Sequence, residues 1–362
     1  MSRASEPNIR QVTRNYEGWL ASHMPLATSA LRQKHEQMRK DLLSFFRGTF
    51  YRWVQLYRAE CDGLCDASVV LSVGDVHLDS FGTWRDIEGR LVWGVDDFDE
   101  AYPLPYTNDL VRLATSAKIA FKSGESGVKT SKACELILDG YREGLKSGGC
   151  PVVLEEEDER LRTLGIRALK RPAAFWEKFN HLPAVDEVPQ SAREALEKEM
   201  PEAGLSYKIV RRTAGVGSLG RPRFVAVAPW RGGYVAREAK AMAPSACAWL
   251  TGNNSNGIYH NKIIKDAARC FDPYQRVHGK WLVRRLSPDS NPIEIANLPK
   301  ERDEKRMLYT MGCEVANIHV GTQKAVKAVQ KNLDERDPGW LHAAAKQMAK
   351  AVRRDWKDWK AS

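Results

Sequence analysis

No apolar run in this 362-residue chain approaches the roughly 20 residues that a membrane helix needs. The opening segment MSRASEPNIRQ has no apolar h-region, so nothing points to secretion, and a cytoplasmic location is expected. Seven cysteines (Cys61, Cys65, Cys134, Cys150, Cys247, Cys270, Cys313) are scattered, and none forms a Cys-x-x-Cys pair. Reduced, buried thiols are therefore expected in preference to zinc or disulfides. Internal repeats and low-complexity tracts are also missing, which excludes solenoids and biased linkers.

The net charge is +10, which raises the question of nucleic acid. Residues 1–60 hold ten Lys/Arg against five Asp/Glu, and residues 341–362 hold six against two. The remainder, 40 against 39, is nearly balanced. The basic excess thus sits at the two ends. A solvated helix face explains it more simply than a polyanion site does, and the distribution argues against nucleic acid as a partner.

What the chain does have is a patterned succession. Residues 1–30 read as an irregular arm. From Leu31 an amphipathic pattern runs through Met38, Leu42, Phe45, Phe46, Phe50, Trp53, Leu56 and Tyr57, as one long helix or a broken pair, with a possible break at Phe46-Arg47-Gly48. Val69 to Glu100 reads as strand, acidic loop, turn, strand, acidic loop. Asp86 to Gly89 supplies the turn, and the two strands should bring two carboxylate clusters together. Grouped carboxylates repel, so a cation is expected among them. Thr107 or Asn108 is a plausible N-cap for a helix through Leu110, Leu113, Ala114, Ala117 and Phe121, and a second helix is expected over Ser131–Lys146. Pro183 to Gly204 reads as a linker. Strands follow between Leu205 and Lys240 and at Trp281–Leu286, with a helix over Ile258–Cys270. From Glu301 the chain returns to helix, and an amphipathic helix after Pro338 carries Leu341, Ala345, Met348, Val352, Trp356 and Trp359.

Three motifs carry chemistry. Gly215-Val-Gly217-Ser218-Leu-Gly220 lies between two predicted strands. A dinucleotide fingerprint would open into a helix, and a Walker A loop would need Gly-Lys-Ser/Thr. A glycine-rich turn between antiparallel strands is the form protein kinases use over ATP phosphates, and an unliganded glycine hairpin is the simpler alternative. On the next strand Arg237 and Lys240 fall on opposite faces, and one of them is a candidate phosphate ligand. The third motif is the acidic stretch itself. Kinase-like phosphotransferases place a catalytic aspartate in a loop, a metal-binding asparagine five residues on, and a DFG-type aspartate after a hairpin. Asp75 then becomes the candidate base, and Asp97, 22 residues on, the candidate metal ligand. GDVH also resembles the HGDxHxxN loop of aminoglycoside and choline phosphotransferases.

Taken in order, Phe46-Arg47-Gly48, GDVHLDSFG, DDFDEA, Asp109-Leu-Val-Arg-Leu-Ala, GVGSLG, Arg237-Glu-Ala and Ala316-Asn-Ile-His319 resemble the bacterial domain of unknown function 2252 family. The resemblance covers most of residues 38–320. It implies an α+β, two-lobed, protein-kinase-like fold. Because Asp75 and Asp97 precede the glycine loop, that fold would be circularly permuted, which is physically acceptable where chain ends meet at the surface. The implied parts are an arm (1–30), a large-lobe segment with both acidic loops (31–182), a linker (183–204), a small strand-rich lobe (205–290) and helices returning to the large lobe (291–362). The implied activity is Mg²⁺-dependent transfer of the ATP γ-phosphate to an unknown hydroxyl acceptor. Asp75 would take the hydroxyl proton. Asp97 would bind metal with Ser80, Asp79 or Asp99 assisting. The glycine loop with Arg237 or Lys240 would neutralise phosphate. His77 would brace the loop in preference to binding metal, Asp99 would cap or orient it, and Asp109 would anchor it.

Departures from the kinase pattern point to a second class, a pseudokinase that binds a nucleotide or a partner. Ser80 stands where asparagine is expected. The strand lysine falls on Arg237, and arginine is not equivalent to lysine. Asp266 is the one acid in the Ile258–Cys270 helix. A metallophosphoesterase would share GDVH but needs a later GDxxDR and GNH[DE]. Gly252-Asn-Asn is followed by Ser255, so that reading is disfavoured. Polyanion binding through the basic ends is the remaining alternative.

Overall fold

The computed structural model describes residues 7–121, 127–154, 162, 163, 166, 171–213, 215–252, 257–290 and 301–361. It is a mixed α+β structure, 54% helix and 16% strand, and its sheets are antiparallel.

The chain begins with a helix where an irregular arm is expected. α1 (Ile9–Ala21) is capped by the Asn8 side chain, which accepts from Gln11 N, and it buries Ile9, Val12, Tyr16 and Leu20. The polar residues between these hid a 3.6-residue apolar period. The expected long helix is broken twice, giving α2 (Thr28–Lys40), α3 (Leu42–Gly48) and α4 (Phe50–Glu60). Asp41 is extended and caps α3 through Ser44 N, so the first break is a capping event (Asp41 Oδ1 at 2.7 Å). A one-turn helix, α5 (Asp62–Cys65), follows.

Strand β1 (Val69–Ser72) pairs with β4 (Tyr102–Pro105). Between them lies a hairpin, β2 (Phe81–Arg85) with β3 (Leu91–Val95), extended by β5 (Val152–Val153). Its turn forms as the sequence suggests, with Asp86 Oδ1 accepting from Glu88 N and Arg90 N. The two expected strands, β1 and β3, therefore belong to different sheets, and β2 intervenes. Helix α6 (Tyr106–Phe121) starts at Tyr106, so Thr107 and Asn108 are helical and cap nothing. Instead Thr107 Oγ1 donates to Leu64 O, and Asn108 Oδ1 accepts from Trp53 Nε1. This helix is buried on almost every face. α7 (Thr130–Ser147) packs beside it and ends at Gly148 in the left-handed region.

The next part is a five-stranded sheet in the order β6-β7-β8-β10-β9. Its strands are β6 (Lys208–Arg211), β7 (Arg223–Trp230), β8 (Gly233–Ala241), β9 (Arg276–His278) and β10 (Trp281–Leu286). The segment expected as a linker carries α9 (Gln190–Lys198), which follows α8 (Pro172–Asn180). Ala192, Ala195 and Leu196 are buried, and Ser191 Oγ accepts from Trp281 Nε1 on the sheet. The apolar i, i+3, i+4 triplet outweighs the Pro and Glu content that suggested a tether. Two short helices, α10 (Ala246–Thr251) and α11 (His260–Asp266), connect the sheet strands.

The last helices are α12 (Glu301–His319), α13 (Gln323–Asp334) and α14 (Trp340–Lys360). α12 lies against α7 with glycines at the crossing. A methyl on Gly140 would collide with the Tyr309 carbonyl, and one on Gly312 with the Ile137 carbonyl. α14 docks on the N-terminal helices. Trp356 Nε1 donates to Met38 O, Arg10 Nη2 donates to Trp359 O, and Arg52 pairs with Asp355 at 2.6 Å. No described helix is long and apolar enough to cross a membrane. The seven cysteines are all free.

Candidate functional site

The two acidic loops meet the glycine-rich loop in one cleft of about 240 Å³. Asp75, His77 and Asp79 line it from the loop after β1. Asp96, Asp97, Asp99 and Glu100 come from the loop after β3. Gly215, Gly217 and Ser218 come from the β6–β7 connection, and Lys240 from β8. Six cations face the six carboxylates there, namely Arg47, Arg212, Arg221, Arg223, Lys240 and Arg284.

The first acidic loop is shaped by local hydrogen bonds. Gly74 has φ +81°, and a methyl there would collide with the Glu100 carbonyl, so glycine allows the two acidic loops to touch. Asp109, fully buried on α6, accepts from Val73 N at 2.7 Å and Gly74 N at 3.0 Å. It also meets His319 Nε2 at 3.1 Å, and His319 Nδ1 meets Tyr141 Oη at 2.8 Å. Asp109 thus anchors the loop from the start of the following helix, with the α12 residue His319 behind it. His77 Nδ1 accepts from Asp79 N, so its ring braces the turn. Burial, reinforced by Arg47 and Arg112, holds that imidazole well below its usual range.

Asp75 is the least exposed carboxylate of the first loop, with 19% of its side chain accessible. Arg112 Nε donates to its Oδ1 at 2.6 Å. That guanidinium is wholly buried and lies over the rings of Phe46, Phe50 and Trp53 at 4.0, 5.0 and 4.8 Å. Burial pushes the Asp75 carboxyl up to about 7, Arg112 opposes it, and Glu100 and Asp97 add to it. Such a carboxylate is poised to exchange a proton near neutrality. Arg112 lies within a quoted motif, but nothing in the sequence assigned it to Asp75.

Ser80 departs from its expected role. It is buried, its Oγ accepts from His77 N and donates to Asp75 O, and it does not line the cleft. A short hydroxyl that closes a capping turn is directed at backbone and not at a ligand. Asp79 does reach the cleft, where Arg47 Nη1 pairs with it at 2.8 Å.

The second acidic loop is held by charge. Lys240 Nζ contacts Asp99 Oδ2 and lies 3.5 Å from Asp97 Oδ1. Arg221 bridges Asp99 at 3.3 Å and Glu100 at 3.1 Å. Asp97 is the most open, at 54% side-chain exposure. Desolvation works against its ionisation, but Lys240, Arg284 and Arg223 outweigh it and hold the carboxyl far below the usual carboxylate range. Asp96, quoted in the acidic run without a role, is pushed up to about 6 by burial and by Asp97.

Strand alternation separates the two cationic candidates of β8. Lys240 and Glu238 share the cleft side. Arg237 points to the other face, where its guanidinium lies 4.6 Å from the Tyr274 ring and donates to Glu199 O. Arg237 is thus not brought to the cleft, and Lys240 is. Glu238, fully buried, accepts from Arg212 at 2.6 Å, Arg223 at 2.8 Å and Arg284 at 2.9 Å. Desolvation opposes its charge, yet these arginines hold its carboxyl well below the ordinary range. Residues of the cluster such as Arg223 and Glu238 follow a period-two pattern around the glycine loop and Lys240, which was the available signal for them.

The glycine loop does link antiparallel strands, with a 3₁₀ turn at Val216–Ser218. A Cβ on Gly217 would sit 3.2 Å from Arg47 O, so the loop runs close over the end of α3. Gly220 has φ +98°. Ser218 Oγ accepts from Arg223 Nη2 at 2.6 Å.

Among the described residues no group of three or more His, Cys, Asp or Glu side chains is arranged to hold a metal ion. Mg²⁺ commonly takes only one or two protein carboxylates, completed by phosphate oxygens and water. Asp97 and Asp99 suit that role, because Asp97 is open and Asp99 Oδ1 is buried with no hydrogen-bond partner among the described residues. The Gly252-Asn-Asn segment considered for a phosphoesterase lies, from Asn253 to Ser255, outside the described residues.

Residues 27–163 match the model of a family described as an uncharacterized protein conserved in bacteria, domain of unknown function 2252. The match takes in Phe46-Arg47-Gly48, both acidic loops and Asp109-Leu-Val-Arg-Leu-Ala, and stops before the glycine loop. No curated protein matches the chain, and no solved structure does.

Proposed function

With residues 27–163 matched to that family, we propose that the protein is a kinase-like phosphotransferase with a circularly permuted, two-lobed architecture. It would move the γ-phosphate of ATP to a hydroxyl acceptor. The carrying observation is that Asp75, Asp97, Lys240 and the glycine-rich loop line a single cleft although they are up to 165 positions apart in the sequence.

In this reading the backbone of residues 215–220 covers the nucleotide phosphates, because glycine lets N–H groups approach closely. Lys240 and Arg223 neutralise phosphate charge. Asp97 and Asp99 would hold Mg²⁺, which would supply further neutralisation of phosphate charge. Asp75 accepts the acceptor hydroxyl proton as the new O–P bond forms and the bond to the leaving ADP breaks. Arg112 fixes the orientation of Asp75 through its buried guanidinium.

A catalytically weak nucleotide-binding protein is the second reading. Two observations favour it: Ser80 is directed to backbone, and Asp99 is already paired with Lys240.

The test is thermal unfolding with ATP, with and without Mg²⁺, followed by γ-phosphate transfer to candidate acceptors. A Mg²⁺-dependent rise in melting temperature is expected, lost in Asp97→Ala and kept in Asp75→Ala. Transfer should vanish in both. Binding without transfer selects the second reading. No Mg²⁺-dependent response at millimolar ATP overturns both.

A further inference from the structure

A nucleotide can be held at two ends, by its phosphates and by its base, and a base is usually stacked on apolar or aromatic side chains. The described walls of the cleft offer the first kind of contact and not the second. Each described residue that lines it is charged, a serine, a histidine or a glycine. The one ring among them, the His77 imidazole, is engaged with Asp79 N.

The sheet accounts for the apolar surface that the cleft lacks. Residues paired across antiparallel strands share a face, so Lys240 lies with Arg223 and Leu282, Glu238 with Val225 and Arg284, and Ala236 with Val227 and Leu286. One face of the five-stranded sheet therefore runs from Lys240 through Glu238 to Ala236. At the level of Glu238 it is taken up by that carboxylate and its three arginines. Beyond them, Val225, Val227, Ala236 and Leu286 are packed with Phe175 and Phe179 of α8. This cover is fastened to the edge strand. Lys208 Nζ donates to Asn180 O at 3.0 Å, and Val185 N donates to Ile209 O at 2.8 Å. The apolar part of the face that begins at Lys240 is thus occupied by the chain itself. A second hollow, of about 370 Å³, meets the cleft at Arg212, Ser218, Arg221 and Arg223 and does have apolar walls. Its Phe224 lies on the opposite face of β7 from Arg223, so that hollow reaches the far face of the sheet. Ser218 and Arg223, which line both spaces, are hydrogen-bonded to each other at 2.6 Å.

We propose that the phosphoryl donor is recognised by its polyphosphate chain alone, so that inorganic tripolyphosphate and nucleoside triphosphates of any base are accepted alike. The proposal rests on the phosphotransferase reading for the identity of the ligand as donor. The phosphates lie among Lys240, Arg223, Arg284 and the glycine loop, and the nucleoside, where there is one, projects out of the cleft. With tripolyphosphate the acceptor oxygen bonds to the terminal phosphorus and the terminal bridging P–O bond breaks. Pyrophosphate then leaves in place of ADP, and the hydroxyl proton passes to Asp75.

The experiment follows thermal unfolding of the full chain against rising Mg²⁺-ATP, Mg²⁺-GTP, Mg²⁺-tripolyphosphate and adenosine, with sodium sulfate at matched ionic strength as the control for the basic ends. The three triphosphates should stabilise the protein saturably, with dissociation constants within about fivefold of one another. Adenosine and sulfate should give no saturable shift. Stacking of a base contributes roughly fivefold to a hundredfold in affinity, so a recognised base shows outside that margin. Lys240→Met should weaken all three triphosphates by the same factor, about tenfold or more. The proposal is overturned if ATP binds tighter than GTP or tripolyphosphate by more than about fivefold, if adenosine or sulfate acts, if Lys240→Met changes the ratios, or if no triphosphate binds below about 10 mM. A base preference would point instead to the hollow beside Phe224. Equal binding of the three without phosphate transfer from ATP would reject the phosphotransferase reading and leave polyphosphate recognition standing. Transfer with a strong preference for ATP would do the reverse.

Discussion

The loop that carries Asp75 and the loop that carries Asp97 sit side by side and are held by different forces. The first is fastened by short-range hydrogen bonds. Asp109 takes Val73 N and Gly74 N, Ser80 Oγ takes His77 N, Ser116 Oγ takes Leu78 N, and His77 takes Asp79 N. The second has fewer such bonds, among them Asp96 N to Ser80 O and a long contact from Asp99 N to Asp97. Its position depends on Lys240 and Arg221. Hydrogen bonds to buried backbone are completed when the chain folds, and no ligand competes for them. Ion pairs at a cleft are different, because an incoming phosphate competes for the cations and a metal competes for the carboxylates. The geometry of the first loop is therefore set by folding, whereas under the proposed reading the second loop would exchange partners when a ligand arrives.

The contrast is broken most directly at Asp109. Asp109→Ala leaves two backbone N–H groups and an imidazole unsatisfied in the core, and should cost about 3–5 kcal/mol in chemical denaturation. A loss below about 1 kcal/mol would mean that the first loop is not set by folding. A smaller effect comes from Asp75, whose folded carboxyl titrates near 7 against 3.8 in the unfolded chain. The folded state then binds the proton more tightly. The resulting stabilisation is complete below about pH 4 and is lost as pH rises through 7. Denaturation midpoints followed from pH 4 to 8 should fall more steeply in the wild type than in Asp75→Asn. The difference in slope should approach about 1.4 kcal/mol per pH unit at most. Equal slopes would place Asp75 among ordinary carboxylates. Smallest is Ser80→Ala, which removes a turn cap worth about 1 kcal/mol. Its Mg²⁺-nucleotide response should equal that of the wild type, and a lost response would return Ser80 to the ligand set.

Elements with a strong local signature were legible from the sequence. The Asp86–Gly89 turn, the β7 and β8 strands and the C-terminal amphipathic helix each carry their own period or turn residues. The site was legible where motif spacing and strand alternation sufficed. Asp75, Asp97 and the glycine loop were named, and Lys240 and Arg237 were recognised as facing opposite ways. Which of the two faced the cleft depends on how β8 sits between β7 and β10, and that is a long-range fact. The same holds for Arg112, whose partner Asp75 lies 37 positions away, and for Glu238, whose three arginines come from three strand neighbourhoods. α1 and α9 were missed for a local reason. Their apolar residues are few, and Pro, Ser and Glu nearby imitate an arm or a tether.

The crossing of α7 and α12 gives the molecule a closely packed side. With glycines at Gly140 and Gly312, backbone lies directly on backbone, and no side chains are there to repack if one helix slides. Glu314 on α12 accepts from Val95 N, and His319 at its end supports Asp109, so the first acidic loop and the hairpin are tied to that closely packed pair. Any breathing of the cleft would then fall to its other walls, the five-stranded sheet and the end of α3 that carries Arg47. Asp75 would stay with the closely packed wall of the cleft.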